Sequence, residues 1–407
     1  MTRGDLPKAM NRGAHRSMCA ISVAIAAAMP AAAVAKTETG ADVALTAAIA
    51  SNPFQANLSS SESGSASVSL SPWITFIEAE TSLKLSGDLR VTEYEKSFPR
   101  SDSYRVGADG TWKINPRLTL ASSVSYSEST VGETGLVENF SPGVILIEDP
   151  ALIGIRTRRR AFDASATAQF RPDAKQSWTF SANAIDSRFT NLTAGNDYAL
   201  YGGTIAYDRI TRRGTFGASL GLQRYECRSF QSCSQVLVSP QLTASLRLNA
   251  LWTLKGAAGL SYAKLRQPVL NTETWTPSVN ATLCRKNARS NLCLSAAHTV
   301  EATALGASRP VLSANISGDY KLTERNSISL SGFYAGSTQS GSTLGTGPAV
   351  ASDFRYFGIR LSDEHRIRRN MYLVVTGSQT ITDSSFLNRR TNSEVSIGVR
   401  FSFGSAS

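Results

Sequence analysis

From residue 82 onward the chain alternates apolar and polar side chains over repeated segments of a dozen or so residues. Leu83, Leu85, Gly87, Leu89 and Val91 share one phase; Lys84, Ser86, Asp88, Arg90 and Thr92 share the other. Tyr104, Val106, Ala108, Gly110 and Trp112 repeat the pattern, as do Leu242, Ala244, Leu246 and Leu248. The last such segment sets Val395, Ile397, Val399, Phe401 and Phe403 against Glu394, Ser396, Gly398, Arg400 and Ser402. A period of two sends alternate side chains to opposite faces of a sheet, so each segment predicts a strand with one apolar face.

The connections alternate as well. Tight ones fall at 115–116, 171–175, 211–214, 249–250, 286–290, 323–326 and 365–370; longer ones fall at 95–102, 129–158, 189–196, 226–234, 265–273, 302–309, 339–352 and 383–392. Short turns on one rim and long loops on the other mark a transmembrane antiparallel up-and-down β-barrel. The predicted fold is therefore all-β, with about sixteen strands, an even number as such barrels require. The barrel is expected to span 82–403, with 404–407 as a C-terminal tail. Residues 36–81, rich in Ala, Ser and Thr, read as a periplasmic lead-in. Within it 67–77 also alternates (Val68, Leu70, Ile74, Phe76); it is either periplasmic or pairs with an unrecognised strand to make about eighteen.

A soluble sandwich, propeller or solenoid fits less well. The apolar phase carries many Gly and Ala and is closed near its ends by Trp112, Tyr126, Phe170, Trp178, Tyr207, Trp252, Tyr262, Trp275 and Tyr320, where membrane-interface aromatics belong. The opposite phase, mostly Ser, Thr, Asn and Gly, could not fill a dry core but suits a wet lumen.

The N-terminus sets the compartment. Arg3, Lys8, Arg12 and Arg16 precede an apolar run from Cys19 that ends Ala33-Val34-Ala35. That order of charged, apolar and small residues is a secretory signal over 1–35. Beyond it stand four cysteines: Cys227 and Cys233, Cys284 and Cys293. An even number in an exported chain predicts disulfides. With a turn at Ala288-Arg289, Cys284 lies opposite Cys293 at the short-turn rim, while Cys227 and Cys233 staple a loop. No zinc-ligand spacing is present.

Chemistry of its own is not expected. Of three histidines, His15 is in the signal, His365 falls in a tight turn and His298 takes the apolar phase, so a Ser-His pair facing one pocket is hard to build. No cofactor or metal is implied. The net charge of +11 does not point to nucleic acid, because export and spread-out charges argue against it. The polar phase carries Lys84, Arg90, Arg105, Lys113, Arg247, Lys255, Arg360 and Arg400, with Asp88, Asp109, Asp163, Glu301, Asp319 and Glu394 among them. These form either a wall whose charges pair across strands or a pore with a mild preference for anions. In the longest loop, Arg156, Arg158, Arg159 and Arg160 follow an apolar stretch. That loop either folds inward to constrict the pore, with the arginines at its mouth, or extends outward with the arginines on anionic lipid head groups.

Ser71-Pro72 is followed by a strand ending Glu93-Tyr94-Glu95 and, further on, by Asp149-Pro150, Ile153-Gly154 and Arg156 to Arg160. In these features the chain resembles the porin-like β-barrel outer-membrane proteins of sphingomonad-type Proteobacteria. The segment Val399 to Phe403 is similar to the terminal strand that barrel-assembly machinery reads, although Gly404 to Ser407 follow it. The resemblance implies the outer membrane, contact with its lipids and, for some such proteins, export of exopolysaccharide with periplasmic partners. The expected function is a polar channel for passive passage of small solutes; the alternatives are a part of polysaccharide export and a closed structural or adhesive surface barrel. Oligomeric state is not legible.

Overall fold

A computed structural model describes residues 36–55, 62–96, 100–131, 137–138, 145–146, 156–190, 197–228, 233–266, 271–302, 308–337, 354–384 and 389–404. The first ten strands are β1 (Lys36–Ala50), β2 (Ser63–Glu78), β3 (Thr81–Tyr94), β4 (Ser101–Asn115), β5 (Leu118–Val131), β6 (Val137–Glu138), β7 (Ile145–Leu146), β8 (Thr157–Asp173), β9 (Gln176–Phe189) and β10 (Tyr198–Thr211). The rest are β11 (Gly214–Cys227), β12 (Ser234–Arg247), β13 (Trp252–Arg266), β14 (Asn271–Lys286), β15 (Ser290–Ala302), β16 (Ser308–Lys321), β17 (Asn326–Ser337), β18 (Phe354–Arg368), β19 (Met371–Ser384) and β20 (Arg390–Gly404). All but β6 and β7, which pair with each other, form one 18-stranded antiparallel sheet. It closes where β1 pairs β20, from Gly40↔Gly404 to Ala50↔Glu394.

Two expectations are corrected. The barrel has eighteen strands, the count expected if 67–77 paired with an unrecognised strand, rather than about sixteen, and it begins at Lys36 rather than at 82. Residues 36–81 are not a lead-in: they supply β1 and β2, and the alternating stretch 67–77 lies inside β2. The signal of β1 is diluted because Ala44 and Ala48 take one phase and Ala47 the other, leaving only Val43, Leu45 and Ile49 as large apolar residues of the outward phase. Its partner β20 also lies at the far end of the chain, so no hairpin turn announces the pairing. The expected turn at 365–370 is shorter too, since β18 runs through His365 to Arg368. The expected secretory signal at 1–35 and most of the expected loop 129–158 lie outside the described residues.

The rims differ as expected. Turns at 79–80, 116–117, 174–175, 212–213, 248–251, 287–289, 322–325 and 369–370 share one rim with the free ends of β1 and β20. Side-chain oxygens tie several of them. Asn115 Oδ1 accepts from the amides of Arg117 (2.8 Å) and Leu118 (2.9 Å). Asn249 does the same for Leu251 and Trp252, each at 2.9 Å, and Asn287 for Arg289 (2.8 Å) and Ser290 (2.6 Å). This is the local reason Asn punctuates the sequence there. The longer connections fall on the opposite, loop rim.

Prolines mark the irregular places. The β12–β13 register skips from Val238↔Tyr262 to Gln241↔Gly259 around Pro240, which has no amide hydrogen to give the ladder. A Cβ on Gly259 would collide with the Pro240 carbonyl. The β14–β15 ladder runs only from Lys286↔Asn291 to Val279↔His298. Beyond it the His298 Nδ1 lies 2.8 Å from the carbonyl oxygen of Pro277.

One phase of the sheet is apolar and exposed: Leu242 is 71%, Trp275 66% and Val395 64% accessible. The other phase is polar. Aromatics close the apolar phase at both ends, with Trp178 against Tyr207 at 4.9 Å toward the turn rim and Tyr262 against Trp275 at 4.9 Å toward the loop rim. A closed barrel with an apolar outside and a polar inside satisfies its backbone in lipid and keeps water within. An arginine at Leu242 should therefore destabilise the folded barrel by about 2–4 kcal/mol in a lipid refolding titration. Thr243→Arg, on the inner face beside Asp208 (3.3 Å), should cost far less; equal costs would reverse the assignment of faces.

Candidate functional site

The lumen is built by simple alternation, and its charges are placed by register. Lys84 stands opposite Asp109, and Asp88 opposite Arg105, between β3 and β4. These are opposite-charge cross-strand pairs of the kind that stabilise a sheet. Arg400 donates to Glu364 at 2.8 Å and lies 4.8 Å from the Tyr372 ring. Lys113 pairs with Glu80 at 3.0 Å, at a turn. Arg360 faces Ser331 and Ser378 on its two neighbours. Arg90 faces Ser69 and Ser103, Arg247 faces Thr253, and Lys255 faces Ser245 and Thr282. Part of the basic set is thus matched to acids, and part is set among hydroxyls. The eight basic residues lie on β3, β4, β12, β13, β18 and β20 and do not converge on one point.

The four arginines of the longest connection are separated by the pleat. Arg159 faces inward, its Nε donating to Ser187 Oγ at 2.9 Å and a terminal nitrogen reaching Tyr198 at 3.3 Å. Arg158 and Arg160 face outward with Glu128, and Arg156 lies just before β8, 5.2 Å over the Phe54 ring. A single ring of arginines at the mouth is not what the strand produces: only Arg159 of the three in β8 reaches the lumen.

The loop-rim end of the lumen is packed: buried hydroxyl and amide side chains such as Thr92, Ser187, Gln235, Thr382 and Asn392 stand there beside apolar clusters that the sequence pattern mostly hid. Val131, Phe189 and Tyr198 pack together; Tyr198 and Leu200 also meet Tyr225, Cys227 and Cys233. The Tyr198 and Tyr225 rings stack at 5.3 Å. On β16, β17 and β18, Val311, Phe333, Ala335, Phe354 and Tyr356 form another cluster. These inward side chains are buried or half-buried, whereas Lys84, Asp109, Lys113, Arg247 and Lys255, toward the turn rim, are exposed to the interior space. Phe333 and Tyr356 are legible as inward aromatics. Phe189, Tyr198 and Tyr225 sit where strands run into expected loops; extending the phase of Thr204, Ala206 and Asp208 back along β10 would have found Tyr198 and Leu200.

A segment outside any strand joins this packing. Phe54 meets Tyr94 edge-on at 5.1 Å, and the next residue, Gln55, is 1% exposed. Gln55 adopts φ +46°, a left-handed conformation that side chains other than Gly rarely take. Arg390 donates to the Gln55 carbonyl oxygen, and neither the side-chain amide nitrogen nor the amide oxygen of Gln55 has a hydrogen-bond partner among the described residues. Both ring and carbonyl thereby touch inward-facing residues of β3 and β20.

The cysteines pair as the spacing implies. Cys284 stands directly opposite Cys293, with Cα atoms 4.1 Å apart, and Cys227 bonds Cys233, with Cα atoms 5.0 Å apart. Among the described residues no cluster of His, Cys, Asp and Glu could hold a metal.

The site is that of a membrane-type β-barrel: a polar interior narrowed by packed side chains at one end. No family model and no curated protein matches the chain. Solved structures do. Pseudomonas aeruginosa OccK2 (OpdF), in complex with glucuronate, aligns over 91% of this chain and 98% of its own at 10% identity and a TM-score of 0.47. Pseudomonas aeruginosa OpdK, with vanillate, aligns over 89% and 98% at 11% identity and 0.46. The FrpB iron transporter of Neisseria meningitidis aligns over 90% and 83% at 8% identity and 0.47. Each TM-score is below 0.5, so neither their solutes nor their binding residues are carried over to this chain.

The Cys227–Cys233 bond anchors one of the two apolar clusters. Replacing both cysteines by serine should loosen it. In limited proteolysis the double variant should be cut at the loop rim faster than the parent protein. Identical digestion would mean that the bond does not hold this cluster together.

Proposed function

We propose that the protein is an outer-membrane channel for passive passage of small solutes, selecting them at the loop-rim mouth. The observation that carries this reading is the contrast along the lumen: exposed charges toward the turns and, toward the loops, closely packed side chains that include two clusters of aromatics and aliphatics. A solute would enter past the apolar clusters and then descend through a wet, polar interior. The loop rim faces the cell exterior and the turn rim the periplasm, as the asymmetry of connection lengths in outer-membrane barrels supports. Arg90, Arg247 and Lys255, set among hydroxyls rather than carboxylates, favour a mild preference for anions.

The packed mouth also favours a second reading, a barrel that is closed at rest and acts at the cell surface. Planar-bilayer recording separates the two. Steady openings whose reversal potential favours chloride over potassium would support the channel. Arg90→Glu with Lys255→Glu should then move selectivity toward cations without abolishing conductance. A folded barrel that conducts nothing under any voltage would sink the channel and leave the surface role.

A further inference from the structure

We propose that the exterior of the barrel carries a binding site for the phosphate of a lipid in the surrounding leaflet, formed by Arg160 and Arg188. The inference rests on the membrane-spanning reading of the barrel, not on the channel. Arg160 and Arg188 are directly opposite each other in the β8–β9 ladder. Like charges in that position repel, yet both side chains are largely exposed, at 59% and 60%. Each is held from behind by a buried carboxylate through Nε: Arg160 by Glu128 and Arg188 by Asp186, both at 3.1 Å. This leaves the terminal nitrogens of both guanidinium groups without a partner among the described residues. The nearby arginines are used differently. Arg158 spends its terminal nitrogens on Asp102, at 3.1 and 3.0 Å, and Arg228 spends its own on Asp186 and Tyr201. Two guanidinium groups on directly opposite residues, each held by a carboxylate and otherwise unsatisfied, offer the donors that a phosphate accepts from.

Height on the barrel identifies the source of that phosphate. Across β5, β8 and β9 the outward rows read Glu128–Arg160–Arg188, then Tyr126–Phe162–Asp186, then Val124–Ala164–Ala184. Ser122–Ala166–Ala182 and Leu120–Ala168–Phe180 follow, and Leu118–Phe170–Trp178 ends the series at the turn rim. Ten residues along β8 separate the arginine row from the aromatic row. At ~3.4 Å per residue and a tilt of ~45° this spans ~25 Å, the height of the apolar band of an outer-membrane barrel. The arginines thus stand where acyl chains end and head groups begin, in the loop-rim leaflet. A soluble phosphate would find the same two groups but no apolar wall beneath them.

The test uses the refolded barrel in detergent and native mass spectrometry, with bis-phosphorylated lipid A as probe and the same lipid without its phosphates as control. The parent protein should retain the phosphorylated lipid at least tenfold more strongly, and inorganic phosphate at equal concentration should not displace it. Arg160→Gln with Arg188→Gln should remove most of that difference. Arg224→Gln, an outward arginine already bonded to Glu226 at 2.7 Å, should leave it unchanged. Equal retention of the two lipids by the parent protein overturns the site whether or not the double variant folds. A phosphate preference that persists in the folded double variant overturns it as well. Insertion into vesicles, followed by protection from added protease, is scored separately: a chain that inserts but shows no phosphate dependence loses the site and keeps the barrel, and one that never inserts loses both.

Discussion

Everything in this molecule depends on a ladder that has no ends. In hydrocarbon a free amide or carbonyl costs several kcal/mol, so a sheet can cross a membrane only if its first strand meets its last. Here the meeting is between β1 and β20, joined from Gly40↔Gly404 to Ala50↔Glu394. Once that closure is made, one phase of every strand must face lipid and the other must face the interior. The faces, the girdles, the lumen charges and the separation of Arg158, Arg159 and Arg160 all follow from it.

The same pleat explains how two unlike environments share eighteen strands. Along β8, Arg159 bonds inner-wall groups while Arg160, one residue on, faces outward. Along β10, Leu200 lines the packed mouth while Tyr201 reaches an outward arginine. The inner and outer walls at this rim are therefore set by neighbouring residues, and a one-residue slip in register would exchange them.

Much of this was legible in the chain. The alternation of residues 83–91 and 394–403, the Asn-marked turns and the opposition of Cys284 and Cys293 gave fold class, faces and one disulfide. The strand count fell short because β1 mixes alanine into both phases and pairs with a strand more than three hundred residues away. The lumen charges could be assigned from phase alone. The mouth was legible only in part: Phe333, Tyr356, Tyr198 and Leu200 follow from the phase of their strands, but Phe189 falls in an expected loop, and Phe54 and Gln55 belong to no strand. Which of these side chains pack together is tertiary, and no local period encodes it.

The abbreviated ladder between β14 and β15 has a mechanical consequence. Most neighbours in the wall share pairs over nearly their whole length, but here pairing stops at Val279↔His298 and a histidine ring takes over at Pro277. A cylinder under lateral pressure yields along its thinnest line. In this barrel that line is a vertical seam confined to the loop-rim half, below which the Cys284–Cys293 bond acts as a rivet that stops a split from running through to the other rim.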